Sequence, residues 1–98
     1  MKPHLFHPEA DGEYVQAVQY YADIAIELGW RFHDEMERLI REACAGPDRF
    51  WKFSPPGRRH LSGDFPYAIV FVEKPEHIWI VALMHMKRRP GYWRGRLT

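Results

Sequence analysis

Residues 65–96, FPYAIVFVEKPEHIWIVALMHMKRRPGYWRGR, decide the fold of this chain. Residues 67–72 and 78–84 are two apolar runs rich in β-branched and aromatic side chains, which favour β-strands. Residues 73–76 lie between the runs and have the length of a hairpin connection. Because both runs are almost continuously apolar rather than alternating, we expect a sheet that is buried over much of both faces.

Two amphipathic helices precede this hairpin. Residues 9–28 repeat apolar side chains at helical spacing, Pro8 suits the first helical turn, and Gly29 is the predicted break. Residues 30–45 repeat the same spacing up to Gly46 and Pro47, which predicts a second helix. Two such helices joined by a tight turn form a helical hairpin.

Two short strands complete the sheet. Residues 2–7 predict a first strand at a sheet edge or paired with the last strand, and residues 58–62 predict another. In the connector 48–57, we expect Phe50, Trp51 and Phe53 to fill one end of the core. The predicted fold is therefore α+β, a single domain over residues 1–98 with the order β-α-α-β-β-β: a helical hairpin packed on a small antiparallel-rich sheet.

Composition narrows the class of protein. The chain is 46% hydrophobic and 15% aromatic, which favours a packed core over disorder. No apolar run approaches the roughly 20 residues that a membrane span needs, so we expect no membrane partner. The single Cys44 excludes an internal disulfide and a cysteine-based zinc cluster. We therefore expect a cytoplasmic protein with no metal and no cofactor.

The two halves of the chain differ in charge. Residues 1–46 contain four basic and nine acidic residues, a net charge of −5. Residues 47–98 contain ten basic and four acidic residues, a net charge of +6. This segregation predicts an acidic side and a basic side; either both are solvated faces, or the basic side meets an anionic partner.

Four stretches of the sequence resemble the RelE/ParE superfamily, the toxins of type II toxin–antitoxin and plasmid-stabilisation systems. They are HPEADGEYVQAVQYYAD, GWRFHDEMERLI, RRHLSGDFPYAIVF and IWIVALMHMKRRPGYW. The resemblance covers about residues 4–97 and is most specific over 59–71 and 85–93. It implies a β-α-α-β-β-β fold, the order predicted above from the residues alone.

The resemblance implies two alternative functions. RelE-like members cut mRNA in the ribosomal A site, whereas ParE-like members inhibit DNA gyrase. This chain is more similar to the ParE-like side because of its regular helical hairpin and the tail that follows His85. We therefore expect a ParE-like toxin with a gyrase-type target, neutralised by a cognate antitoxin protein. The alternatives are a metal-independent, ribosome-dependent mRNA endonuclease and an inactive toxin homologue.

A nuclease would need a base for the 2′-OH, an acid for the leaving 5′ oxygen and cations for the phosphorane charge. Imidazole titrates near neutrality, guanidinium groups hold phosphate, and a phenol can donate a proton or stack on a base. The candidate catalytic residues are His85, Arg59, Arg88, Arg89 and Tyr92.

The basic, aromatic tail has three interpretations. It can contact nucleic acid, dock on an acidic protein such as the folding tail of an antitoxin, or be a solvated end whose rings cover the core. The candidate residues for binding a target or nucleic acid are Arg58, Arg59, Lys87, Arg88, Arg89, Tyr92, Trp93, Arg94 and Arg96.

Overall fold

A computed structural model describes all 98 residues. The helices and strands are β1 (His4–Phe6), α1 (Pro8–Ile24), α2 (Ile26–Ala45), β2 (Arg58–Leu61), β3 (Tyr67–Glu73) and β4 (Ile78–His85). Two short 3₁₀ turns, Pro47–Arg49 and Arg94–Leu97, lie in the connector and the tail. The predicted order β-α-α-β-β-β and the α+β class are confirmed.

The four strands form one mixed sheet in the order β1-β4-β3-β2. β2 pairs antiparallel with β3, and β3 pairs antiparallel with β4, whereas β1 pairs parallel with β4. The first strand is therefore both at an edge and paired with the last strand. Two of the three pairings are antiparallel, which confirms the antiparallel-rich sheet.

The predicted helix break at Gly29 is wrong. α1 ends at Ile24, and Ala25 adopts an extended conformation (φ −160°, ψ 135°) that separates the two helices by a single residue. Gly29 lies inside α2, where an added Cβ would lie 2.7 Å from the Cβ of Ala22 in α1. The glycine therefore permits a close approach of the two helices and does not terminate a helix.

Both faces of the sheet are buried, which confirms the expectation from the apolar runs. One face packs under the helical hairpin, and its sheet residues are Ile69, Phe71, Ile78, Ile80 and Leu83. The opposite face forms a second cluster of Ala68, Val70, Val72, Val81, Ala82, Met84 and Trp93. Neither helix combines the length and the hydropathy needed to cross a membrane.

A bulge in β4 shifts the alternation of its side chains between the two faces of the sheet. Val70 pairs with Ala82 and Phe71 pairs with Ile80, which leaves Val81 without a partner in β3. Because a bulge inserts one residue into the alternation, Val81 and Ala82 both belong to the second cluster.

The connector crosses the edge of the sheet and supplies a ring to each face. Phe50 packs against the cluster under the helices, and Phe53 packs against the second cluster. The expectation that Trp51 fills the core is wrong, since 81% of its surface is exposed. Trp51 lies between the two phenylalanines, where the chain passes from one face to the other.

Candidate functional site

Glu13 of α1 organises the C-terminal tail. Its carboxylate, with 15% of the side chain exposed, accepts four hydrogen bonds. Oε1 accepts from the backbone N–H of Leu83 and from Nη1 of Arg96, both at 3.0 Å. Oε2 accepts from the hydroxyl of Tyr92 and from Nη2 of Arg96, both at 2.9 Å. This carboxylate therefore joins α1, β4 and the tail.

The Glu13–Arg96 pair also completes the edge of β4. The partner strand β1 reaches only as far as Ile80 in this pairing. Beyond it, Glu13 binds the N–H of Leu83, and Arg96 Nη1 donates to the carbonyl of Val81 at 3.0 Å. The two side chains thus satisfy backbone groups that β1 is too short to reach.

Trp93 anchors the tail on the second face of the sheet. It is fully buried and packs beside Phe53, with ring centroids 5.8 Å apart. A Cβ at Gly57 would lie 2.7 Å from its ring, so this glycine makes room for the indole. Trp93, named above as a candidate for target contact, is placed in the core. Its Nε1 has no hydrogen-bond partner.

His85 lines a cleft of about 200 Å³ at the end of β4. The cleft is lined by Glu13, Gln16, Ala17, Tyr20, Tyr67, Leu83, His85 and Arg88. The imidazole lies 5.0 Å from the ring of Tyr67, and its Nδ1 accepts the backbone N–H of Lys87 at 3.0 Å. This bond assigns the proton of the neutral ring to Nε2.

Arg88 and Tyr92 stand together beside this cleft. The guanidinium carbon of Arg88 lies 3.9 Å from the centre of the Tyr92 ring, and its Nη1 lies 3.9 Å from Glu13 Oε2. Burial raises the pKa of the Tyr92 phenol, and the hydrogen bond that it donates to Glu13 raises it further. The phenol is therefore a donor that holds its proton.

The remaining cations of the tail are exposed. Lys87 and Arg89 make no side-chain hydrogen bond or ion pair, and they flank Arg88 in the turn after β4. Arg94 donates from Nη1 to the hydroxyl of Ser54 at 2.7 Å, which ties the tail to the connector. We call residues 87–89 the basic loop.

Arg58 and Arg59 are separated from the other candidates. Arg59 pairs with Val70, and His85 pairs with Tyr67. Arg59 and His85 are therefore two strand spacings apart across the sheet and three residues apart along it, a distance of about 14 Å for standard strands. Arg59 lies over the ring of Phe53 at 4.7 Å, and Arg58 donates to the carbonyl of Phe50 at 2.7 Å. The fold thus groups His85, Arg88 and Tyr92, and places both β2 arginines elsewhere.

The sequence analysis did not identify Glu13 as a residue of the site. It is one of several acids at the start of α1, where negative charge is expected from the helix dipole alone. Its partner Arg96 is 83 positions away, so no local spacing connects the two. The only signal was its place in the acidic first turns of a helix that precedes a basic tail.

Two histidines outside the cleft, His7 and His60, have structural roles. His7 Nδ1 accepts the backbone N–H of Glu9 at 3.0 Å and caps α1, and His60 Nε2 lies 2.6 Å from Glu42 Oε1. No group of three or more histidine, cysteine, aspartate or glutamate side chains is placed to hold a metal ion.

Comparison with models of known protein families and with curated protein sequences found no match for this chain.

Proposed function

We propose that this chain is the toxin of a type II toxin–antitoxin module, ParE-like, which acts in the cytoplasm by binding a gyrase-type target and is neutralised by a cognate antitoxin protein. The observation that carries the proposal is the folded-back tail. Trp93 and Arg96 hold it against the sheet and α1, and the basic loop is displayed at its start. An exposed cationic loop that lies between a sheet strand and an anchored tail suits recognition of an acidic surface.

The state of Tyr92 and His85 supports binding over catalysis. A nuclease needs a group that accepts a proton from the 2′-OH. The Tyr92 phenol donates to Glu13 and has a raised pKa, and His85 Nδ1 already accepts the Lys87 N–H. Arg59, another of the five candidate catalytic residues, lies about 14 Å from His85 by strand spacing.

The helical hairpin offers a surface for the antitoxin. A groove between α1 and α2 is lined by Val18, Ala22, Ile26, Gly29, Trp30 and His33. Ile26 and Trp30 are exposed there, and Val15 continues the apolar surface along α1. Contiguous exposed apolar surface is typical of a protein interface. An amphipathic segment of the antitoxin would cover it, and the free edge of the sheet would take an extended segment.

The second candidate function is a metal-independent, ribosome-dependent mRNA endonuclease. The observation that favours it is the cleft, which His85 and Arg88 both line. His85 Nδ1 accepts a hydrogen bond, so its Nε2 could donate a proton, and the Arg88 guanidinium could bind a phosphate. A homologue that keeps the fold and the antitoxin surface without toxic activity is the remaining alternative.

The test uses two assays on the purified chain: gyrase supercoiling, and primer extension on a defined mRNA in cell-free translation. We expect loss of supercoiling and no new mRNA ends. Lys87→Glu combined with Arg89→Glu should abolish inhibition, because the exposed loop loses its positive charge. Leu61→Gln, an exposed change on β2, is the matched control that should retain it.

The Tyr92→Phe variant distinguishes the binding toxin from the nuclease. It removes the hydroxyl bond to Glu13 but keeps the ring under Arg88. A binding toxin should lose little toxicity, whereas a nuclease that uses this phenol should lose nearly all of it, with antitoxin affinity unchanged. Ribosome-dependent cleavage that disappears in Tyr92→Phe and His85→Ala would replace the binding proposal by the nuclease. Activity in neither assay would leave the inactive homologue.

A further inference from the structure

A second basic site lies at the opposite end of the sheet from His85. It is a cavity of about 320 Å³ between the N-terminal segment, the connector and the turn from β3 to β4. Its lining residues are Lys2, Lys52, Pro56, Arg58, Val72, Glu73, Lys74 and Pro75. β3 runs from Tyr67, the partner of His85, to Glu73, so about 20 Å of strand separates this cavity from the cleft.

One carboxylate positions two of the four cations. Glu73 lies 3.1 Å from Lys2 Nζ and 3.8 Å from Arg58 Nη2. Lys2 Nζ also donates to the carbonyl of Lys74 at 2.6 Å, and Arg58 Nη1 donates to the carbonyl of Phe50 at 2.7 Å. The lining therefore carries four positive charges against one negative charge, with two of the cations held in place.

The other two cations have no acidic partner. Lys74 Nζ lies 5.2 Å above the ring of Trp79, and Lys52 is exposed with no hydrogen bond or ion pair. Arg58 is buried except for 14% of its side chain, and its Nε has no partner. A concave site with this excess of positive charge concentrates anions, and lysine and arginine together suit phosphate oxygens.

An exposed indole adjoins the lining residue Lys52 in the chain. Trp51 directly precedes Lys52 in the chain, is 81% exposed and makes no contact with another ring or cation. Tryptophan is highly buried on average, and exposed rings beside a cationic groove are platforms on which bases stack.

The geometry points to a contact for single-stranded nucleic acid: the cavity holds a backbone phosphate between Lys52, Lys74 and Lys2, and Trp51 stacks on the adjoining base. This site is separate from the basic loop and does not rest on the proposed toxin function. Binding is electrostatic in origin, tolerant of sequence and weakened by salt.

The test measures fluorescence anisotropy of a labelled oligothymidylate of about ten nucleotides with the full chain at low salt, near 50 mM. Lys52→Glu, Lys74→Glu and Trp51→Ala should each weaken binding about tenfold. Lys87→Glu makes the same charge change on the basic loop and is the matched control, expected to change affinity less than about twofold. Each variant is checked for an unchanged unfolding midpoint.

Backbone amide shifts in heteronuclear NMR locate the contact independently of affinity. The oligonucleotide should shift the amides of residues 72–74 and leave those of residues 87–89 in place. Equal weakening by Lys87→Glu, or shifts confined to the basic loop, would overturn the inference. Tighter binding of polyglutamate, full competition by inorganic phosphate at equal concentration, or no binding at low salt would overturn it as well.

Discussion

At the scale of single residues, Glu13 links α1, β4 and the tail through four hydrogen bonds. It is the shared acceptor for Leu83, Tyr92 and Arg96, and its bonds to Arg96 raise the pKa of that guanidinium. A cation with only 10% of its side chain exposed needs such a partner, because a buried charge without one is strongly unfavourable.

We therefore predict that Glu13→Gln lowers the free energy of unfolding by about 3 kcal/mol, since Arg96 loses its counter-charge. Urea unfolding at neutral pH measures this. Glu9→Gln is the matched control: Glu9 is exposed and lies 3.7 Å from Arg96 Nε, so its loss should cost less than about 0.5 kcal/mol. Equal effects of the two changes would contradict the role assigned to Glu13.

At the scale of helices and strands, the contact between α1 and α2 depends on Gly29. The helices follow one another with a single residue between them and approach closely where Ala22 meets Gly29. Gly12 of α1 offers the contrast, because an added Cβ there would meet nothing within 4 Å.

Gly29→Ala should destabilise the protein by about 1–2 kcal/mol, because overpacking outweighs the better helix propensity of alanine. Gly12→Ala should instead stabilise it by about 0.5–1 kcal/mol, since only the propensity changes. Thermal or urea unfolding of both variants checks the opposite signs. A stabilising Gly29→Ala would show that the helices have room for the methyl group.

A second element-scale contact joins α2 to the turn after β2. Arg38 donates to both oxygens of Glu35, at 2.9 and 3.0 Å, and the hydroxyl of Ser62 donates to Glu35 Oε2 at 2.6 Å. The bonds from Arg38 are the main cause of a pKa of Glu35 below its ordinary value of 4.5, and they outweigh the opposing effect of burial.

This contact predicts a pH dependence. A lowered carboxyl pKa stabilises the fold above the ordinary value of 4.5, and the contribution is lost as the pH falls through the lowered pKa. Glu35→Gln should cost about 2 kcal/mol at neutral pH and progressively less in acid. Urea unfolding across this pH range measures the difference. Glu27→Gln, on the exposed first turn of α2, should show no such trend.

At the scale of the whole molecule, other parts of the chain pack on both faces of the sheet. The helical hairpin covers one face, and the tail and the connector cover the other through Trp93 and Phe53. The charge segregation follows part of this division, because nine of the 13 acidic residues lie on the hairpin, whereas most basic residues lie in the connector, the sheet with its turns and the tail.

Trp93→Ala should therefore lower the free energy of unfolding by about 3–5 kcal/mol, as expected for removing a buried aromatic ring. Trp51→Ala removes the same atoms from an exposed site and should change it by less than about 0.5 kcal/mol. Denaturant unfolding followed by far-ultraviolet circular dichroism compares the two. Similar costs for both tryptophans would show that the tail does not hold the second face.

The sequence by itself determined the two helices, the four strands, their order and the burial of both sheet faces, because these depend on local periodicity and on runs of apolar residues. Only the tertiary structure decided the helix break at Ala25, the exposure of Trp51, the bulge at Val81 and the bonds of Glu13. The break and the bulge are set by how the helices and strands pack. The pairing of Glu13 with Arg96 joins residues 83 positions apart, which only folding brings within hydrogen-bond distance.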